Sequence, residues 1–203
     1  MPDVFPGYLK VSDEGARRRF EGLYGVGLNP QPGLRMTEVF EAIPEVEAIY
    51  LIGEDPVTSE PYQDHLKAKL EALPFLVVQD ILENETTPFA HVVLPAASFL
   101  EKEGTFTNTD RRVQRVRKIL EPPGEARPDW WILQELGKRL AQALGRPWKP
   151  FRGPEAIWEE VRQAIPEMMG GITYPRLERE GVRWPCPQED HPGEAVLFRE
   201  RFN

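Results

Sequence analysis

The chain has 203 residues and a formal net charge of −8, from 33 acidic against 25 basic side chains, and 40% of its residues are hydrophobic. A chain of this size holds one or two domains, its mean hydropathy of −0.47 marks a soluble protein, and its acidic balance excludes general nucleic-acid binding, which needs a basic surface. No apolar run approaches the ~18 residues that span a bilayer. The opening Met1-Pro2-Asp3-Val4 lacks the basic and apolar regions of a secretory leader, and the single cysteine, Cys186, allows no internal disulfide and no cysteine-ligated cluster. A reducing cytoplasm is the expected setting.

Residues 1–35 are rich in Gly and Pro and read as an irregular N-terminal arm with one helix near Asp13 to Leu23. A second helix, Thr37 to Ile43, is expected to be capped by Thr37 and stopped by Pro44. The apolar run Ala48-Ile49-Tyr50-Leu51-Ile52 predicts a strand that ends in Gly53-Glu54-Asp55-Pro56. Tyr62, Leu66, Leu70 and Leu73 then recur at helical spacing behind Pro61 in the helix-starting position. Phe75-Leu76-Val77-Val78 follows as a second strand running into Gln79-Asp80, which completes a β-α-β unit, and such crossovers are right-handed in nearly all cases. After a helical turn within Glu83 to Ala90, His91-Val92-Val93-Leu94 predicts a third strand leading into Pro95-Ala96-Ala97-Ser98. Continuous apolar strands of this kind belong to parallel sheets covered by helices on both faces.

Beyond Ser98 the pattern changes. Glu101 to Lys118 reads as an extended arm or hairpin, punctuated by Pro122-Pro123-Gly124. A helix is predicted behind Asp129 with Leu133, Leu136, Leu140 and Leu144 as its stripe, ended by Gly145 and Pro147. Another, Pro154 to Ile165, is expected to bury Ile157, Val161 and Ile165, and the remainder is rich in Pro, Gly and charge. The expected organisation is an arm over 1–35, a partial α/β nucleotide-binding domain of doubly wound, Rossmann-like type over 36–145, and a helix plus extended tail over 146–203. Twenty-one prolines hint at a thermophile's loops.

If the three strands are parallel, their polar ends share one rim, where open α/β sheets bind ligands. A carboxylate there can accept two ribose hydroxyls, or two N–H groups of a guanine edge, as short charge-assisted bonds. Asp55 and Asp80 are placed for this, Gln79 adds a donor and an acceptor, and Gly53 permits close backbone approach. Each has a structural alternative: Asp55 as a turn residue before Pro56, Asp80 as a cap on the following turn, and Asp129 as a helix N-cap. No phosphate-cradling loop of Walker or G-x-G-x-x-G type is present. His65, His91 and His191 lie too far apart to spell a metal site, Cys186 has no partner base and reads as a packed small residue, and Trp130 and Trp131 read as packing. The basic run Arg111-Arg112-Val113-Gln114-Arg115-Val116-Arg117-Lys118 is either a solvated strand or a face for an anionic cofactor or partner domain. Residue spacing alone points to a nucleotide-edge binding domain, with no catalytic residues and no metal ligands.

Five pieces occur in order: Ile52-Gly53-Glu54-Asp55-Pro56, Val77-Val78-Gln79-Asp80-Ile81, Val92-Val93-Leu94-Pro95-Ala96-Ala97-Ser98, Glu103-Gly104-Thr105-Phe106-Thr107-Asn108-Thr109 and Arg127-Pro128-Asp129-Trp130. Together they resemble the molybdopterin-guanine-dinucleotide oxidoreductases, especially the formate dehydrogenase large (alpha) subunit, over residues 48–145 and more weakly through the rest of the chain. The resemblance implies the second half of an α/β domain that holds the guanosine end of a molybdopterin guanine dinucleotide. It implies cofactor contacts at Asp55, Ser59, Gln79, Asp80, Ala96 (through its backbone) and Asp129, beside Gly53. His91 departs from the family, which usually has Asp there.

The family's iron–sulfur cysteines, metal ligand and catalytic His and Arg have no counterpart in these 203 residues. Two readings follow. The chain is a fragment or split-gene subunit of a formate dehydrogenase-like enzyme, partnered by a chain that carries the iron–sulfur and metal-ligand domains. Alternatively it is a cofactor-free structural or assembly module of a larger redox complex. Half of a doubly wound sheet exposes an edge and apolar faces, so self-association or a partner chain is expected. Neither nucleic-acid binding nor membrane insertion is expected.

Overall fold

The computed structural model describes residues 2–197. In chain order its elements are β1 (Val4–Phe5), β2 (Leu9–Lys10), α1 (Glu14–Tyr24), α2 (Met36–Glu41), β3 (Ala48–Ile52), α3 (Pro56–Ser59), α4 (Gln63–Ala72), β4 (Phe75–Asp80), β5 (Val92–Pro95), β6 (Gly104–Thr107), β7 (Arg112–Val116), α5 (Asp129–Ala143), α6 (Pro154–Ala164), α7 (Pro166–Met169), α8 (Tyr174–Leu177) and β8 (Val182–Arg183). The described residues cluster into two units: 2, 33–98 and 121–132 in the first, and 3–32, 99–120 and 133–197 in the second. Within the 36–145 segment, residues 99–120 and 133–145 therefore cluster with the second unit. Of the expected arm and tail, Met1 and residues 198–203 lie outside the described residues.

The first unit is a mixed α/β layer built on a three-stranded parallel sheet, β3-β4-β5. Successive strand residues point to opposite faces, so Ile49 and Leu51 share a face with Leu76 and Val78. Phe40, Ile43, Val57, Leu66, Leu70 and Leu73 cover that face, and Phe89 and Ala90 pack at its margin. Fully burying each such side chain contributes about 1.5–3 kcal/mol, so this cluster fixes the strand order. On the opposite face, Ile52, Phe75 and Val92 stay exposed.

Several local expectations are corrected. The N-terminus of α2 is not capped by Thr37: the helix begins at Met36, and the Glu38 carboxylate accepts the Arg35 amide at 2.7 Å. Pro61 does not start α4 and Tyr62 is not part of its buried stripe. Tyr62 adopts a left-handed conformation (φ 63°) and is 83% exposed, so the helix starts at Gln63. The single turn α3 is placed by Pro56 at its first position. The turn before β5 is a 3₁₀ turn over Thr87–Phe89.

His91 has a particular place beside β4. Its amide donates to the Leu76 carbonyl (2.8 Å) and its Nδ1 accepts from the Leu76 amide (3.1 Å). The imidazole thus replaces a strand carbonyl and extends the ladder by one rung.

The second unit joins an antiparallel sheet, β6-β7-β8, to helices α6, α7 and α8. The hairpin expected within Glu101 to Lys118 is present as β6 and β7. The tail is not merely extended: Ile172, Tyr174, Leu177, Val182 and Cys186 pack with Val113 and Trp158 into one core. Arg176 pins the following loop, donating to the Glu189 (3.0 Å) and His191 (2.8 Å) carbonyls. On α5 the leucine stripe is not a buried face: Leu133, Leu140 and Leu144 are exposed, while Ile132 and Ala141 are buried. On α6, Trp158 and Ala164 are the buried residues, with Ile165 just after the helix and Ile157 and Val161 only partly covered.

Two stability predictions follow. His91→Leu strands the Leu76 amide and costs about 1 kcal/mol in urea unfolding, whereas His91→Asn, which keeps an acceptor, recovers part of it. Gly171→Ala places its Cβ 1.9 Å from the Gln188 carbonyl oxygen, and backbone cannot yield as a side-chain tip can. A loss of about 3 kcal/mol is expected, at the top of the usual range for overpacking.

Candidate functional site

The rim of the first unit is set by strand register. Ile52 pairs with Gln79, and Asp80 with Pro95, so the carboxyl ends of β3, β4 and β5 lie level. Each strand stays bonded to its neighbour one residue further: the Gly53 amide donates to the Gln79 carbonyl (2.9 Å) and the Ala96 amide to the Asp80 carbonyl (2.9 Å). Segment 126–128 adds a parallel bridge, with Arg127 N–H on the Pro95 carbonyl (3.1 Å) and Ala97 N–H on the Arg127 carbonyl (2.8 Å). That bridge delivers Asp129, the first residue of α5, to the same rim. Gly53, Gln79, Asp80, Ala96 and Asp129 are thereby brought together.

Gln79 organises this rim. Its side chain is fully buried, and a buried amide must find partners. Its Nε2 donates to Asp129 Oδ1 at 2.7 Å, and its Oε1 accepts from the Tyr50 hydroxyl. The amide orientation follows from the neighbours, because a carboxylate only accepts and so must face the NH₂ end. Burial, and then the Asp129 carboxylate, push the Tyr50 phenol above its ordinary range, which keeps it protonated and donating. The sequence reading missed Tyr50. The available signal was a hydroxyl in an otherwise apolar strand, on the same face as Gln79 by period-two alternation.

The two rim carboxylates differ in what they have left to offer. Asp55 Oδ1 accepts from the Thr86 hydroxyl (2.6 Å) and Oδ2 from the Thr58 hydroxyl (2.5 Å). Burial pushes its carboxyl up, but these bonds and those from the Glu85 and Thr86 backbone outweigh it and hold the group below the usual carboxylate range. Both carboxylate oxygens are thus engaged by protein hydroxyls. Thr86, fully buried, also accepts the Val57 amide at 3.2 Å. Asp55 thus ties the β3–α3 turn to the β4–β5 connection. Asp80 is half-buried and accepts from the Ile81 amide (2.7 Å) and Asn84 Nδ2 (2.9 Å), which leaves lone pairs open. Ser59 stands apart: exposed at the end of α3, it bonds Asp55 only through backbone (3.0 Å).

Other candidates settle into structural roles. His65 pairs with Glu41 (2.9 Å), and His191 Nδ1 accepts the Gly193 amide (3.1 Å). Burial pushes the Cys186 thiol up against the opposing Arg176 charge, so the thiol stays protonated in the second unit's core. In the basic run, Arg111 donates to the Trp184 carbonyl, Arg112 pairs with Asp110, and Arg115 and Arg117 share Glu178. This is the pattern of a strand whose charges are met by its neighbours. Among the described residues no cluster of three or more His, Cys, Asp or Glu could hold a metal ion, and no helix is long and apolar enough to cross a membrane.

Residues 15–139 match the family model described as molybdopterin oxidoreductase. The chain belongs to the molybdopterin oxidoreductase family. Over its full length it is 45% identical to the F420-dependent formate dehydrogenase subunit alpha of Methanocaldococcus jannaschii and 41% identical to the F420-dependent formate dehydrogenase 2 subunit alpha of Methanococcus maripaludis. It is 43% identical to the probable oxidoreductase YjgC of Bacillus subtilis. It spans 29% of the length of the first two and 20% of the third. Acetylene hydratase from Pelobacter acetylenicus shares the fold at a TM-score of 0.59 and 18% identity, covering 86% of this chain and 24% of that one. A molybdopterin oxidoreductase segment of this kind accounts for a parallel sheet with polar residues gathered at one rim.

The Asp55 geometry has a pH consequence. A carboxyl lowered in the folded state contributes stability that is complete above its unfolded value of about 3.9 and is lost as pH falls through the folded value. Asp55→Asn keeps an acceptor for Thr86 but has no charge to titrate. Its urea midpoint is expected to fall less steeply than that of the parent protein below about pH 4.

Proposed function

We propose that the first unit grips the guanosine end of a molybdopterin guanine dinucleotide within a formate dehydrogenase-like oxidoreductase, and that this chain is not catalytic by itself. The observation that carries the reading is the convergence of Asp80, Asp129 and the buried Gln79 at the carboxyl rim of one parallel sheet, the place where open α/β sheets bind ligands. The donor set suits the group. Asp80 keeps open lone pairs for ribose hydroxyls or the N–H edge of guanine, and a charged acceptor makes such bonds strong. Asp129, half-buried and held by Gln79, presents its carboxylate from the start of α5. At Gly53 (φ 62°) nothing lies within 4 Å of where a Cβ would stand, so the ligand can meet bare backbone. Ala96 offers only its main chain. Asp55 supports the rim from behind through Thr58 and Thr86.

When bound, the cofactor supplies metal-centred redox chemistry; this chain's residues bind and orient its nucleotide end. The iron–sulfur and metal-ligand segments are assigned to a partner chain or to further parts of a longer protein. The exposure of Ile52, Phe75 and Val92 on one face of the sheet supports such a covering contact, since parallel sheets are normally buried on both faces. A cytoplasmic setting fits the composition.

One observation favours the second reading, a cofactor-free structural or assembly module: both oxygens of Asp55 already accept from protein hydroxyls, those of Thr86 and Thr58. Titration with GDP separates the two. Binding raises the melting temperature in proportion to RT ln(1 + [L]/Kd), at about 2–4 °C per kcal/mol for a chain of this size. A saturable rise that disappears in Asp80→Ala and Asp129→Ala is expected. No rise at millimolar GDP would assign the chain to the structural module.

A further inference from the structure

The second unit holds a basic stretch that its own carboxylates leave largely unmet. Residues 136–154 carry five cations, Lys138, Arg139, Arg146, Lys149 and Arg152, and no acidic side chain, in a chain whose net charge is −8. Lys149 pairs with Glu160 at 3.3 Å. Lys138, Arg139, Arg146 and Arg152 are exposed and have no ion-pair partner among the described residues. The run at 111–118 behaves differently, since Asp110 and Glu178 take its charges.

Apolar surface lies open in the same stretch. Past Gly137 the only buried residue of α5 is Ala141. Leu140 (52% exposed) and Leu144 (71%) stand four residues apart, so they share one side of the helix, and the Trp148 ring is exposed as well. Leucines at helical spacing are ordinarily the face a helix buries. Here they stand in water.

This surface is built rather than loose. Gly145 takes a left-handed conformation (φ 62°), and the Arg146 amide closes on the Ala141 carbonyl at 2.8 Å, which ends α5 and turns the chain back. The returning segment docks on the helix. Trp148 ring atoms lie 2.2–2.8 Å from where a Cβ on Gly137 would stand, and the Phe151 amide donates to Gln134 Oε1 at 2.6 Å. A glycine inside a helix costs about 1 kcal/mol relative to alanine, and at Gly137 it makes room for the indole. The loop that carries Arg146, Lys149 and Arg152 is thereby fixed to the helix that carries Lys138, Arg139 and the open leucines.

We propose that this platform docks an acidic amphipathic helix of a partner protein, whose apolar stripe covers Leu140, Leu144 and the Trp148 ring and whose carboxylates meet Arg139 and Arg146. Charge decides the occupant. Open leucines alone accept any apolar face, whereas unpaired cations beside them favour an anionic partner and repel a basic one. Trp and Arg are also the residue types that dominate interface energies. One helix covers less than the roughly 1,600 Å² of a standard interface, so a transient contact is expected. The platform lies wholly within the second unit and does not rest on the nucleotide reading of the first.

Fluorescence anisotropy of labelled peptides titrated with the full chain tests the proposal. The probes are a helical peptide with a leucine stripe and glutamates elsewhere, the same peptide with lysines for the glutamates, and the same with serines for the leucines. Saturable binding of the glutamate–leucine peptide is expected, with both controls weaker by about tenfold. Leu144→Ser, and separately Arg139→Glu combined with Arg146→Glu, should each weaken it by about tenfold. Both variants should keep the parent melting temperature, because the side chains they change are exposed. No saturable binding, or equal binding of either control peptide, would overturn the proposal. Tighter binding to phosphatidylglycerol vesicles or duplex DNA would overturn it in favour of a general polyanion surface. Dimers of the chain that Leu144→Ser dissociates would overturn it in favour of a second copy. A melting temperature lowered by several degrees in Leu144→Ser would also count against it, because the leucine would then be covered within the protein.

Discussion

The buried amide of Gln79 constrains the first unit more than any other polar group. An unpaired amide in an apolar layer carries a desolvation penalty that a marginally stable domain tolerates poorly. Pairing it at both ends requires Tyr50 in β3 and Asp129 at the head of α5 to stand where they do. Three pieces of chain far apart in sequence are thereby locked at one rim. Linked hydrogen bonds of this sort polarise one another, and the order Tyr50, Gln79, Asp129 runs from a retained proton to a negative charge. The rim is preorganised by the fold rather than assembled by a ligand.

The rim carboxylates show how the same residue type divides between structure and binding. Asp55 and Asp80 both follow parallel strands. Asp55 meets the Thr58 hydroxyl and the fully buried Thr86 hydroxyl, whereas Asp80 meets only the local Ile81 amide and Asn84. The first pair of bonds ties the turn after β3 to the β4–β5 connection, and the second ties Asp80 to the loop that follows its own strand. The proposed grip on a nucleotide therefore centres on Asp80 and Asp129, with Asp55 as their support.

The second unit depends on arginines. Arg115 joins a cation–π contact with Tyr174 to ion pairs with Glu178 and Glu103, and Arg176 holds the loop after Cys186 by its carbonyls. Planar guanidinium groups suit such multiple, directional contacts better than the point charge of lysine. These bonds pair the charges of the basic run with neighbouring carboxylates and carbonyls.

Sequence by itself determined three strand segments and their polar ends, because continuous apolar runs that end in Gly53, Gln79-Asp80 and Pro95-Ala96 carry their own boundaries; the packed face of the sheet set their order β3-β4-β5. It also marked a helix near Asp13 to Leu23 and an extended arm or hairpin within Glu101 to Lys118. The family resemblance was legible because five motifs keep their order. Only tertiary structure decided which face of α5 is covered, since Leu133 and Leu140 fit a buried stripe by spacing yet stay exposed. Only tertiary structure separated Asp55 from Asp80, recruited Tyr50 and turned the Pro- and Gly-rich tail into a core around Cys186. Periodicity and local propensity act over a few residues, whereas burial and hydrogen-bond saturation depend on partners such as Thr86 and Asp129 that lie 31 and 50 positions away.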